Sequence, residues 1–394
     1  MKILIVVDDY INTSNKAAAI MINELALEFI NRGNDVSILT PSFNIKQNIN
    51  ISIIENIRVI EFKSGKLKNN SKVKRAINEL LLSFKSIYFL KDWFKKNKHD
   101  YIVYYSPSIF FGPLIKYLKN LWKVRSYLIL RDIFPQWAVD IGVLREKSVI
   151  TSFFKFFEKI NYSSADYIGM MSPKNVEWFK NNFKKNNVET LYNWTVYDNI
   201  TTTPTDYKKK IGIEDKVVFF YGGNIGHAQD IGNLIRLIIK LKSNTMAHFV
   251  FVGNGDEVEL VLDMKKKHQL TNLTYLRSVD QNTYSQMLVS FDVGLFSLHR
   301  DHQTHNFPGK LIGYMKHSKP ILGSCNIGND LQEIINFNKV GNIYINGDDD
   351  KLYKACLSMI DSESKRISMG VNANKLLKEK FSVSKACDEI EKHF

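Results

Sequence analysis

Little in this chain is available for covalent stapling or for crossing a membrane. Cysteine is scarce: Cys325, Cys356 and Cys387 are the three in 394 residues. They are too few and too widely spaced for a disulfide framework or a CxxC metal site, so they read as packing residues of a protein in a reducing compartment. The eight prolines and the lack of any low-complexity tract or repeat, with 44% hydrophobic and 24% charged residues, exclude disorder. The longest charge-free apolar candidate for a membrane span, Tyr101 to Ile115, contains Pro107 and Pro113 and falls short of the roughly 18 residues required. The opening run Ile3-Leu4-Ile5-Val6-Val7 lacks the long apolar core and cleavage site of a signal peptide and reads as a first buried strand.

Acidic residues are also in deficit, leaving a formal net charge of +14. Residues 1–200 hold 29 basic against 18 acidic side chains, and the remainder 25 against 22, so the excess is N-terminal. Much of it lies between Lys66 and Lys98, where ten cations face only Glu79 and Asp92 and are interleaved with aromatic and aliphatic residues. Phe153 to Ile160 repeats the mixture on a shorter scale. Both stretches have the pattern of basic amphipathic helices suited to an anionic membrane surface. Liposome binding that falls with salt and on neutralising Lys72, Lys74 and Arg75 is the corresponding expectation. No RNP, helix-turn-helix or zinc-finger pattern accompanies the charge, which argues against nucleic acid as a partner.

The length suits two α/β domains. In the first half, apolar runs at Ile3–Val7, Val36–Leu39, Tyr101–Tyr105 and Tyr127–Leu130 alternate with helical stretches at about 15–31, 72–97 and 111–121. Gly33 is a helix stop, and Ser172-Pro173 supplies an N-cap followed by proline in the first turn. A polar linker follows at 201–205. Strands are then expected at Val217–Tyr221, His248–Val252, Leu273–Leu276, Val293–Phe296, Ile321–Gly323 and Gly341–Ile345, with helices between. The boundaries expected are 1–200 for an N-terminal domain, 201–375 for a C-terminal domain, and 376–394 for a last helix returning toward the first. Ligands of such open sheets bind beyond the carboxyl ends of the strands.

Three loops in the second half fit an anionic ligand. Two are glycine-rich, Gly222-Gly223-Asn224-Ile225-Gly226 and Gly253-Asn254-Gly255. Glycine lets backbone N–H groups converge on a phosphate, although neither loop is a GxGxxG or P-loop motif and either could serve packing alone. The third, His305-Asn306-Phe307-Pro308-Gly309-Lys310, combines a tight turn, a helix start and a lysine. A helix N-terminus with a full positive charge beside it suits a diphosphate.

On these residues, together with Lys319-Pro320-Ile321-Leu322 and the Leu130-Arg131-Asp132-Ile133-Phe134-Pro135 turn, the chain resembles the retaining glycosyltransferases of family 4. That resemblance implies a GT-B architecture, two Rossmann-like doubly wound domains facing a central cleft. Within the family it looks most like bacterial O-antigen and capsule N-acetyl-L-fucosamine transferases. The implied substrates are UDP-N-acetyl-L-fucosamine and a polyprenyl-diphosphate-linked acceptor, and the implied location is cytoplasmic, on the inner-membrane surface, with no cofactor and no metal. Two glutamates usual in the family fall on His305 and Gly313, and an arginine and a lysine on Asn224 and Gln229. The usual N-terminal glycine loop is Asn12-Thr13-Ser14-Asn15-Lys16 here. Lys310 is thereby left as the main positive charge for the diphosphate.

The resemblance implies catalytic roles for Asp132, Lys310 and Arg131, and donor contacts from Gly222, Gly223, Asn224, Gly226, Gly253, His305, Asn306, Phe307, Pro308, Gly309 and Asn329. Asp330, with Glu333 three residues later, reads as a helix cap. Two other functions stay open, a UDP-sugar epimerase on the same type of fold, which needs no acceptor, and a non-catalytic nucleotide-sugar or membrane-binding module.

Overall fold

The computed structural model describes residues 1–14, 16–67, 72–140, 142–197, 206–301 and 307–394, with the backbone alone for Lys72 and Val73. The chain divides into two units, Met1–Val196 with Val383–Phe394, and Tyr197–Ser382. The linker read at 201–205 lies outside the described residues.

The first unit is built on strands β1 Lys2–Val6, β2 Asp35–Ser42, β3 Ile49–Ile54, β4 Ile57–Lys63, β5 Tyr101–Ser106, β6 Arg125–Leu130, β7 Tyr167–Met170 and β8 Val188–Thr190. They form one sheet in the order β3-β4-β2-β1-β5-β6-β7-β8. All neighbours are parallel except β3 and β4. The central strands are buried on both faces, which is why they read as continuous apolar runs and not as alternating ones. The helix expected from about residue 15 runs Ala17–Asn31. It ends as the sequence suggests, the N–H of Gly33 donating to the Ile30 carbonyl and that of Asn34 to the Phe29 carbonyl. Ser172 caps the helix Pro173–Asn182, its hydroxyl accepting the Asn175 N–H.

Three features of this unit depart from expectation. The β3–β4 hairpin was not read from sequence; β3 is an edge strand with most of its side chains in solvent, so its isoleucines carry no burial pattern that distinguishes a strand. The helix expected over 72–97 is two helices, Lys72–Leu80 and Leu82–Lys96. The break coincides with a tertiary tie, the buried Ser83 hydroxyl accepting the Leu114 N–H at 3.1 Å and donating to the Phe110 carbonyl. The terminal segment expected from 376 is divided as well: residues 376–380 finish the helix Glu363–Lys380 of the second unit, and a separate helix, Val383–Glu391, belongs to the first. Its Val383, Ala386, Cys387 and Ile390 join the core beneath the helix Ala17–Asn31. Arg32 ties the pair, donating to Asp388 at 2.9 Å and to Glu391 at 2.7 Å.

The second unit holds β9 Val217–Gly222, β10 Ala247–Val252, β11 Leu273–Leu276, β12 Val293–Ser297, β13 Ile321–Cys325 and β14 Gly341–Ile345. All six lie within a residue or two of the expected runs. The sheet is parallel throughout, ordered β11-β10-β9-β12-β13-β14. Numbered within the unit this is 3-2-1-4-5-6, the doubly wound Rossmann order, and it places the topological switch between β9 and β12. The three cysteines are buried and unbridged, as packing residues should be. Among the described residues, no helix is long and apolar enough to cross a membrane.

Candidate active site

The switch point of the second unit is where its sequence signals converge. The first glycine-rich loop leaves the end of β9, and the helix Gly309–Lys316 follows β12, the strand beside it. The two are joined by Tyr314, whose buried hydroxyl accepts the Gly222 N–H at 3.2 Å and donates toward the Leu295 carbonyl at 3.1 Å. Lys310 lies one turn before Tyr314, so both side chains project from the same helix face toward the loop.

There the Lys310 ammonium is enclosed. Its Nζ sits 3.7 Å from the centroid of the Tyr221 ring. Its Cε and Nζ lie 3.7 and 3.8 Å from where a Cβ on Gly223 would stand. The stem is half-buried, but the nitrogen is shut off from solvent and has no hydrogen-bond acceptor among the described residues. Burial pushes the lysine down from 10.5 to about 7. The ring face of Tyr221 offsets part of that cost. The helix behind Lys310 has Pro308 as its N-cap with no side-chain cap; the Leu311 N–H donates to the Pro308 carbonyl at 3.1 Å, which leaves the Gly309 and Lys310 N–H groups, with the partial positive charge of a helix start, without an acceptor among the described residues.

The two glycine loops are interlocked. Gly223 N–H donates to the Val252 carbonyl, and Ile225 N–H to the Asn254 carbonyl, both at 2.9 Å. A Cβ on Gly253 would lie 1.8 Å from the Gly223 carbonyl oxygen, so the close approach admits glycine only. Gly223 itself, at φ 116, occupies backbone space that other residues avoid. These bonds narrow which N–H groups of the Gly222–Gly226 loop are open to a phosphate. Those of Gly222, Gly223 and Ile225 are committed, which leaves Asn224 and Gly226 without a protein acceptor among the described residues. The Asn224 Nδ2 donates to the Gln229 Oε1 at 2.7 Å, so the two residues standing where the family carries cations hold each other.

Other expected site residues have structural work. Phe307 is buried and packs on Phe381, ring centroids 4.4 Å apart. Asn329, not Asp330, caps the helix Asp330–Phe337: its side chain accepts the Leu331 N–H at 3.0 Å and donates to Asn326 at 2.9 Å. Asp330 is the first helical residue. Pro308 and Gly309 form the helix start, with open space beside Gly309. His305 and Asn306 lie outside the described residues.

In the first unit, Arg131 and Asp132 follow β6 and part company. Arg131 is 6% exposed and donates to the carbonyls of Leu191 at 2.8 Å and Tyr192 at 3.2 Å, with its guanidinium 5.3 Å from the Trp194 ring. The contacts of Arg131 are those of a strut, with its Nε buried and without a hydrogen-bond partner among the described residues. Asp132 keeps a path to solvent, while surrounding protein raises its carboxyl above the ordinary value. The Phe134–Pro135 peptide that follows is cis. A cavity of about 380 Å³ opens beyond β1, β2 and β4, lined by Asp9, Thr13, Ser14, Lys16, Phe43 and Lys66 among others. No cluster of three or more His, Cys, Asp or Glu side chains suited to a metal occurs among the described residues.

Residues 204–376 match the family model described as glycosyl transferases group 1. The match lies wholly within the second unit. The switch-point loops and Lys310 all fall inside it. Over 235 residues the chain is 27% identical to the probable glycosyltransferase WbjE of Pseudomonas aeruginosa, an alignment covering 58% of this chain and 57% of that protein. The chain thus spans little more than half the length of that curated relative. Among solved structures it is similar to Anabaena HepE in complex with UDP, with TM-score 0.70 and 14% identity over 100% of this chain and 99% of that one. WaaG, a glycosyltransferase involved in lipopolysaccharide biosynthesis, aligns with TM-score 0.67 and 13% identity over 99% of each chain. Such identities establish a shared fold alone, the GT-B architecture of two Rossmann-like units.

Tyr221, Tyr314 and the Asn224–Gln229 pair escaped the sequence reading. The four-residue spacing of Lys310 and Tyr314 was a signal available for the second of these, since it puts both on one helix face.

Proposed function

We propose that the chain is a retaining glycosyltransferase that moves a sugar, N-acetyl-L-fucosamine in the favoured reading, from UDP to a polyprenyl-diphosphate-linked saccharide in O-antigen or capsule biosynthesis. The observation that carries this reading is the enclosed ammonium of Lys310, without a hydrogen-bond partner among the described residues, at the switch point of the unit that matches the group 1 model. An isolated buried cation is costly, and a diphosphate supplies the partner it lacks. The UDP bound to HepE and the lipopolysaccharide role of WaaG support the donor class and the setting.

In this reading the anomeric carbon–oxygen bond to the diphosphate breaks as the acceptor hydroxyl oxygen bonds the same carbon from the same face. The acceptor proton passes to a departing phosphate oxygen, and UDP leaves. Lys310, the uncapped helix start and the Asn224 and Gly226 N–H groups stabilise the charge that grows on the leaving group. No carboxylate nucleophile and no metal are required, which fits a site where the family's glutamates are His305 and Gly313. Asp132 and the cavity beyond β1, β2 and β4 are assigned to the acceptor. The work is done at the cytoplasmic face of the inner membrane, where lipid-linked acceptors are presented.

The test offers a panel of UDP-N-acetylhexosamines and UDP-6-deoxy-N-acetylhexosamines with a synthetic lipid-diphosphate-N-acetylglucosamine. Mass spectrometry reads transfer, and NMR of the product reads anomeric configuration. Transfer of the 6-deoxy sugar with retained configuration is expected. An inverted product would remove the same-face mechanism, and conversion of donor without acceptor would identify an epimerase.

A further inference from the structure

The helix Val149–Ser164 wears its apolar side outward. Its inner face is accounted for, with Thr151, Phe157, Glu158, Asn161 and Tyr162 buried. The opposite stripe of a surface helix should be polar, yet Val149 is 86% exposed and Phe156 59%, with Ile150 and Phe153 exposed beside them. Val149, Phe153 and Phe156 are spaced four and three residues apart and so share one face. Trp137 and Val143, from the segment that leads into the helix, are exposed too.

Ring contacts make these residues one surface. Trp137 meets Phe134 at 6.0 Å, Phe134 meets Phe154 at 4.8 Å, Phe154 meets Phe153 at 5.6 Å, and Phe153 and Phe156 both pack on Phe157, at 5.1 and 5.4 Å. The rim is cationic. Arg145, Lys147 and Lys159 are exposed, Lys155 is half-buried, and Asp140 and Glu146 are the exposed acids of the segment. Leu80, which ends the helix Lys72–Leu80, packs into the same small cluster with Phe110, Phe134 and Phe154. Lys74 and Ile77 are exposed on that helix, while Arg75 is paired with Glu79 at 2.7 Å.

We infer that this face of the first unit docks on an anionic bilayer, with the apolar stripe Val149, Ile150, Phe153 and Phe156 entering the headgroup boundary and the lysines and arginines meeting lipid phosphates. The inference rests on the proposed lipid-linked acceptor for its purpose and stands on the patch for its evidence. Charge complementarity selects the occupant. A second copy of the chain, seated face to face, would set these cations against their own kind, which disfavours a self-association surface. Of the two stretches whose sequence suits a membrane surface, the helix Val149–Ser164, which contains Phe153–Ile160, is the centre of contact.

The test is vesicle sedimentation with the full chain, no donor present, on phosphatidylcholine vesicles with and without a third of phosphatidylglycerol. Binding to the anionic vesicles alone is expected, with a loss of about tenfold or more in the paired variant Val149→Glu, Phe156→Glu and in the paired charge reversal Lys147→Glu, Lys159→Glu. All four side chains are exposed or on the rim, and an unchanged thermal midpoint confirms that the variants fold. Equal binding by wild type and variants would overturn the inference. So would a dimer, measured by light scattering, that the apolar variants split. UDP binding, read in the same preparations, separates this inference from the enzymatic reading: the patch variants keep it, and Lys310→Ala weakens it by about ten- to a hundredfold while still sedimenting with vesicles.

Discussion

The proposed diphosphate site can be read through a proton. Burial pushes Lys310 down from 10.5 to about 7 in the free protein, where its ammonium is enclosed and has no hydrogen-bond acceptor among the described residues. The sign follows from linkage. Below about pH 7 the lysine is already charged, and UDP binds without taking up a proton; above it, the neutral lysine must gain one when the diphosphate restores its pKa. Affinity should then fall by about tenfold per pH unit above about 7, reaching roughly a hundredfold by about pH 9. The full difference between the two lysine values sets a ceiling of about 5 kcal/mol on the coupling. The assay is titration calorimetry with UDP in two buffers of different ionisation enthalpy, which gives proton uptake directly. At about pH 8.5 uptake should approach one proton per UDP, and Lys310→Ala should abolish it while costing about ten- to a hundredfold in affinity near neutrality. Subtracting the variant removes any titration of UDP itself. A flat affinity between about pH 7 and about pH 9, or the same proton uptake in the variant, would refute the assignment.

Three further outcomes follow from the same geometry. Tyr314→Phe leaves the Gly222 N–H buried without its acceptor, so the unfolding midpoint should drop by the equivalent of about 1–3 kcal/mol, and UDP binding should weaken with its pH slope intact because Lys310 remains. Arg131→Ala strips the donors from the Leu191 and Tyr192 carbonyls and should destabilise by about 2–4 kcal/mol in thermal unfolding without changing UDP affinity, whereas an effect on UDP binding alone would return Arg131 to the substrate. Glu158, buried beside Tyr162, holds its proton up to about 7 in the folded chain against 4.5 in the unfolded one. Stability should therefore decline as pH rises through that window. Glu158→Gln should remove the slope and gain up to about 3 kcal/mol above it, with no gain near about pH 4.

How far the sequence is legible depends on what each residue buries. The second unit reads cleanly because six parallel strands, covered on both faces, appear as apolar runs between loops that punctuate them. The edge strand β3 has no such signature, since none of its side chains is fully buried. The break at Leu81 is decided by Ser83 reaching Phe110 and Leu114, residues far along the chain, which no local period reveals. At the site, the Lys310 helix start was legible as chemistry, a lysine behind a Pro-Gly turn, while its enclosure over Tyr221 belongs to tertiary packing. Arg131 is the opposite case. A charged residue at a strand end looks like a ligand in sequence, and only its burial against two carbonyls shows a strut. Phe307 and Asn329, likewise, are taken up by Phe381 and a helix cap.

The most direct measurement is acceptor-dependent sugar transfer by wild type and Lys310→Ala in parallel, with mass spectrometry following both the lipid-linked product and the free nucleotide sugar. Product that forms only when donor and lipid-diphosphate acceptor are both present, and that is lost in the variant, is the result this account predicts. Undiminished transfer by Lys310→Ala, or turnover of the nucleotide sugar without acceptor, would contradict it.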